Sequence, residues 1–175
     1  SRHYAAAYEA MRPLHQMETL TRQLVDVFYG TEGVILLKKP ETTKLLVIWT
    51  SVFNHFFVAN VALAKLIGNL DCSLLFLKDD TLHHYSRGVK GFAGSADELG
   101  PAIEKVAREH ELDGIYHMAA TDAGYAALRT SLRSRCDGYL GFSQSTDFSA
   151  GSPLAASPLM TPDVRAAIGA DFLED

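Results

Sequence analysis

Apolar residues near the start of the chain recur at Tyr4, Tyr8, Met11, Leu14, Met17, Leu20, Leu24, Val27 and Phe28, which is helical spacing. Pro13 falls inside this stretch, and a proline there removes a hydrogen bond and clashes with the preceding turn. The spacing therefore predicts two helical pieces, the second from about Met17 to Phe28 and ended by Gly30. Two β-branched and aliphatic runs follow, Gly33 to Leu37 and Lys44 to Thr50, separated by the turn-prone Pro40-Glu41-Thr42-Thr43. In the second run Leu45-Leu46-Val47-Ile48-Trp49 is apolar at every position, as suits a strand covered on both faces. It is expected at the centre of a sheet.

Helix and strand patterns then alternate three times: Ala59 to Ile67 and Ser73 to Leu77, Ala96 to His110 and Gly114 to Ala120, Gly124 to Arg135 and Gly138 to Phe142. Ser95 and Glu98 have capping-box spacing at the start of the second helix. Such alternation implies parallel strands joined by right-handed crossovers, with helices on both faces. The expectation is one α/β domain: a helical lead over 1–30, a three-layer, mostly parallel sheet of about five strands over 31–148, and a Ser/Pro/Ala-rich tail over 149–175. That tail closes with a short helical run, Thr161 to Phe172, which Thr161 or Asp163 could cap. Ligands of such sheets gather at the carboxyl ends of the strands.

Composition narrows the function classes. At 175 residues the chain can bury a core without disulfides or metals. Its net charge of −5 argues against nucleic acid or an anionic membrane as the main partner. No run reaches the length of a membrane span and no secretory layout opens the chain, so a cytoplasmic protein is expected. Cys72 and Cys136 have neither C-x-x-C nor metal-type spacing and read as reduced structural thiols, and no cofactor or metal is expected. The glycine-rich Gly88-Val89-Lys90-Gly91-Phe92-Ala93-Gly94-Ser95 leads into a helix but lacks the P-loop ending, and reads as a crossover turn. Asp79-Asp80 reads as a solvated turn, Phe53, Phe56 and Phe57 as core or lid aromatics, and Arg129, Arg133 and Arg135 as a solvated helix face.

The most informative stretch is Tyr116-His117-Met118-Ala119-Ala120-Thr121-Asp122-Ala123-Gly124-Tyr125-Ala126-Ala127-Leu128, where a strand runs into a helix through small residues. A nucleophile elbow, G-x-S-x-G, has this layout because its strained central residue needs small neighbours. The frame here is Ala119-Ala120-Thr121-Asp122-Ala123, and the continuation Gly124-Tyr125-Ala126-Ala127-Leu128 is similar to one common in α/β-hydrolases. The order of elements from about Gly33 to Asp147 also resembles that family's second through sixth strands, about two-thirds of the chain. Both flanking glycines and the serine are replaced.

The resemblance implies Thr121 at the nucleophile position, Asp147 as a substitute acid, and His55, His83 or His84 as a relocated base, since no histidine follows His117. His117, inside a strand, reads as a satisfied core imidazole. Ser51, Val52, Asp122, Ser143 and Ser145 fall where an oxyanion hole or pocket would form. A β-branched threonine is costly at the positive φ an elbow imposes, so either the turn relaxes or the threonine is not a nucleophile. Three readings follow: a degenerate hydrolase-like domain serving binding or assembly; an acyl or ester hydrolase; or a fragment whose acid and base lie beyond Asp175. An acyl or ester ligand, a protein partner or a homodimer is the expected company, the dimer pairing through an exposed Gly138–Phe142 edge in the fragment reading.

Overall fold

The computed structural model describes Phe28, 33–144, 147, 149, 151–152, 155–158 and 160–166. Apart from Phe28, the expected helical lead lies outside the described residues, as does the last part of the expected closing helix. Five strands form one sheet: β1 (Val34–Leu37), β2 (Lys44–Trp49), β3 (Ser73–Leu77), β4 (Gly114–Ala120) and β5 (Gly138–Phe142). Their spatial order is β1-β3-β2-β4-β5, with β1 antiparallel to β3 and the other neighbours parallel. The helices between strands are α1 (Asn60–Ile67), α2 (Ala96–Glu109) and α3 (Gly124–Arg133).

Side-chain alternation sorts the core into two layers. Leu45, Val47 and Trp49 of β2, Leu75 and Leu77 of β3, and Ile115 and Ala119 of β4 face α2 and α3, meeting Leu99, Ile103, Ala126 and Ala127. The opposite positions, Ile48, Leu74, Phe76, Met118 and Ala120, face α1 through Leu63 and Ala64 and also meet Phe28. The uninterrupted apolar run of β2 is thus covered on both faces, with Leu45, Val47, Ile48 and Trp49 fully buried. Phe28 packs edge-on against Phe76.

Several expectations need correction. Arg129 is buried, only 7% exposed, and donates to Asp97 Oδ1 at 2.8 Å; Arg133 reaches the same oxygen at 3.1 Å. The hydrogen bond from Arg129 holds the Asp97 carboxyl below the ordinary carboxylate range. A guanidinium can leave water when a carboxylate meets it, which periodicity alone does not reveal. Asp79 is likewise buried and builds its turn rather than sitting in solvent. The expected capping box is not made: Ser95 makes no side-chain cap, and Glu98 Oε2 accepts from Gly94 N–H at 2.7 Å rather than from Ser95 N–H. The glycine-rich loop closes on itself through paired bonds between Val89 and Ala93, so the N–H groups of Val89, Phe92 and Ala93 are used within the loop and that of Gly94 by Glu98. In the tail, Thr161 Oγ1 accepts from Val164 N–H at 3.3 Å at the start of a helical turn over 162–166.

Candidate functional site

The carboxyl ends of β2, β3 and β4 converge on the elbow. Ala119 and Ala120 end β4 fully buried, a single 3-10 turn covers Thr121–Ala123, and α3 begins at Gly124. Thr121 has φ +53°, a left-handed conformation despite its β-branched side chain, so the turn has not relaxed. Such strain persists only where surrounding contacts over-determine it. Here those contacts run through Asp122.

Thr121 Oγ1 donates to Asp122 Oδ1 at 2.8 Å, and Val52 N–H donates to Asp122 Oδ2 at 2.9 Å. Val52 follows β2 in a tight turn where Ser51 N–H donates to His55 C=O and Asn54 N–H to Ser51 C=O. Asp122 therefore bridges the elbow to the loop after β2. His84 Nδ1 lies 3.5 Å from the same Asp122 Oδ2, on a side chain only 1% exposed. Burial would raise the Asp122 pKa, but His84, the Thr121 hydroxyl and the Val52 N–H outweigh it and hold the carboxyl below its ordinary value.

A second carboxylate explains how His84 reaches this place. Asp79 Oδ1 accepts from Thr81 N–H and its hydroxyl, and Oδ2 accepts from Tyr85 N–H at 2.9 Å. The Tyr85 hydroxyl lies 2.8 Å from both Leu77 C=O and Thr50 C=O and shares its one proton between them, tying the loop to the ends of β3 and β2. Burial pushes the Tyr85 pKa well above its ordinary value. Leu82, His84 and Tyr85 all have positive φ, and this Asp79–Tyr85 staple fixes them.

The remaining candidates are not gathered here. His55 is exposed and stacks on Phe53, and His83 bonds locally to Thr81 C=O. Asp147 is exposed; the Ser149 N–H donates to its carboxylate at 2.8 Å and lowers its pKa. Ser51 is buried and its hydroxyl accepts from Phe53 N–H. Ser143 is exposed at φ +45°, and Ser145 lies outside the described residues. His117 is buried as expected: Trp49 Nε1–H donates to its Nδ1 at 3.0 Å, although its Nε2 has no partner. Burial takes the His117 pKa down to about 4. Among the described residues no three His, Cys, Asp or Glu side chains are placed to hold a metal ion, both cysteines are free, and no helix is long and apolar enough to cross a membrane.

Sequence reasoning missed the Asp79–Tyr85 staple and the Asp122–Val52 link. The first spans six residues with no turn motif to announce it and the second spans seventy, so no spacing rule gives either; the one local signal was an acidic residue directly after Thr121. No family model matches this chain, and neither a curated protein nor a solved structure matches it.

Proposed function

We propose that this chain is an α/β-hydrolase-like domain whose elbow has lost catalysis and which serves binding or assembly. The observation that carries this reading is the Asp122 carboxylate on the Val52 N–H. In an acyl-transfer site a backbone N–H from this loop would stabilise the oxyanion. Here a fixed negative charge already takes it. A second negative charge about 4 Å away costs about 4 kcal/mol at an effective dielectric constant near 20. That is roughly a thousandfold in rate, enough to cancel what an oxyanion donor contributes. Asp122 is also a poor base for Thr121: its pKa is held below the carboxylate range, whereas a general base works best near the operating pH.

A second reading, an acyl or ester hydrolase using Thr121, is favoured by one observation: the positive φ of Thr121 is retained with the buried His84 nearby. Labelling with a fluorophosphonate, read by intact mass, separates the two. The proposal expects no adduct on folded protein. An adduct that disappears in Thr121→Ala would establish an activated hydroxyl and overturn it.

A further inference from the structure

β5 is the last strand of the sheet, and among the described residues no strand lies beyond it. Its sequence, Gly138-Tyr139-Leu140-Gly141-Phe142, holds neither charge nor proline, the usual guards of an open edge. Leu140 is 53% exposed and Phe142 39%, and on the same face Tyr116 of β4, level with Gly138, is 36% exposed. Tyr116 and Leu140 border a groove of about 540 Å³ between β5 and the end of α1, where Lys44 and Asp71 pair with each other at 3.9 Å. The described part of the tail does not cover this face: Met160 and Val164 pack in the opposite layer, with α2 and α3.

The edge is complementary to itself. Gly114 N–H donates toward β2, to Thr43 C=O, so alternation turns the backbone groups of Ile115, His117 and Ala119 toward β5. With Tyr116 level with Gly138, it is Gly138, Leu140 and Phe142 that bond to β4, while Tyr139 and Gly141 turn N–H and C=O to the open edge. Two copies of β5 laid antiparallel about a two-fold axis at Leu140 set Tyr139 opposite Gly141, so each outward N–H meets an outward C=O. The same register sets Leu140 against Leu140 and Phe142 against Gly138, in the pairs whose side chains approach closest. Gly138 offers no side chain there, and a Cβ at that position would lie 2.9 Å from the Tyr116 ring, so the incoming Phe142 meets Tyr116 instead. Along the strand each large side chain thus meets a glycine or its own copy.

We propose that this edge and the face beside it bind a second copy of the chain, joining two sheets through β5 in an antiparallel register centred on Leu140. The exposed parts of Tyr116, Leu140 and Phe142 amount to roughly 250 Å² per copy. With the paired backbone this is a small interface, of the class that gives weak, concentration-dependent association. The inference goes beyond the reading of the elbow and uses neither Thr121 nor Asp122. A monomer without fluorophosphonate adduct overturns the dimer alone, and an adduct on a dimer overturns the elbow reading alone.

The test is sedimentation velocity of the 175-residue chain across the micromolar range, beside Leu140→Lys and Leu140→Glu. The parent should dimerise reversibly with a Kd in that range. Either charged variant alone sets like charges face to face at the axis and should associate about tenfold more weakly or worse. An equimolar mixture of the two should recover association, because opposite charges then meet there. Hydrogen exchange of the parent adds a readout that no substitution disturbs: the Tyr139 and Gly141 amides should gain protection as concentration rises, while that of Leu140, bonded to β4, stays protected throughout. A parent that stays monomeric, folded charged variants that associate like the parent, a mixture no better than either variant alone, or amides at 139 and 141 indifferent to concentration would each overturn the proposal.

Discussion

Replacing Asp122 by alanine removes one acceptor from two donors at once. The Val52 N–H and the Thr121 hydroxyl, both on half-buried or buried residues, lose their partner at 2.9 and 2.8 Å. Each donor left unmet costs about 1–3 kcal/mol, but water can reach the Thr121 side, so the expected loss is about 2–4 kcal/mol. In a chain of this size that lowers the melting temperature by roughly 4–16 °C. The loss carries a pH signature. The folded-state pKa of Asp122 is depressed, so its stabilisation is complete above the ordinary carboxylate value near 3.9 and fades as pH falls through the lower folded value. Urea unfolding of the parent and Asp122→Ala, compared at neutral pH and at steps from pH 5 down to 2, should show a gap that narrows only on the acid side. A gap below about 0.5 kcal/mol at neutral pH, or one equally large in acid, would refute the view that the ionised carboxylate ties elbow to loop.

Three further outcomes follow from buried or strained positions. His117 should make the fold acid-sensitive: buried, it stays neutral down to about pH 4, whereas the unfolded imidazole takes its proton near 6.5. The unfolded state therefore binds more protons between those values, and stability should fall by about 3 kcal/mol as pH drops from 7 to 4, a dependence that His117→Gln should flatten in urea midpoints. Gly88 and Gly91 share φ +73°, but a Cβ at Gly88 would lie 2.2 Å from Ala93 C=O, whereas at Gly91 it meets nothing within 4 Å. Alanine at 91 should cost about 1 kcal/mol of conformational strain and alanine at 88 several times more, and equal costs in calorimetry would contradict the packing argument. Leu99→Ala, at a fully buried position facing the sheet, should cost about 2–5 kcal/mol in the same measurement.

Strands and helices were legible because their signals are local. Ser73–Leu77, Gly114–Ala120 and Gly138–Phe142 match their apolar runs residue for residue, and β2 ends one residue short of Thr50. The Thr50 N–H still donates to Leu77 C=O, closing the last parallel pair of Trp49 with Leu77, and its hydroxyl donates to the same oxygen. α3 ends at Arg133 rather than Arg135, where Arg135 N–H donates to Glu104 of the neighbouring helix. The site was legible only as a neighbourhood. Three histidines were placed at the correct sheet edge, yet only His84 turns inward, since that depends on Asp79 and Tyr85 closing a loop of left-handed residues. Phe53 and Phe57 carry the same apolar signal as Phe56, yet only Phe56 is buried.

The elbow joins these threads. A β-branched residue at φ +53° would relax unless something held it, and the side chain that holds Thr121 belongs to the next residue. Asp122 reaches the Val52 N–H with one oxygen and the Thr121 hydroxyl with the other, so the charge that disfavours an oxyanion is also the clamp that keeps the turn strained. On the proposed reading, the strained backbone and the loss of an oxyanion site have one cause, the Asp122 carboxylate.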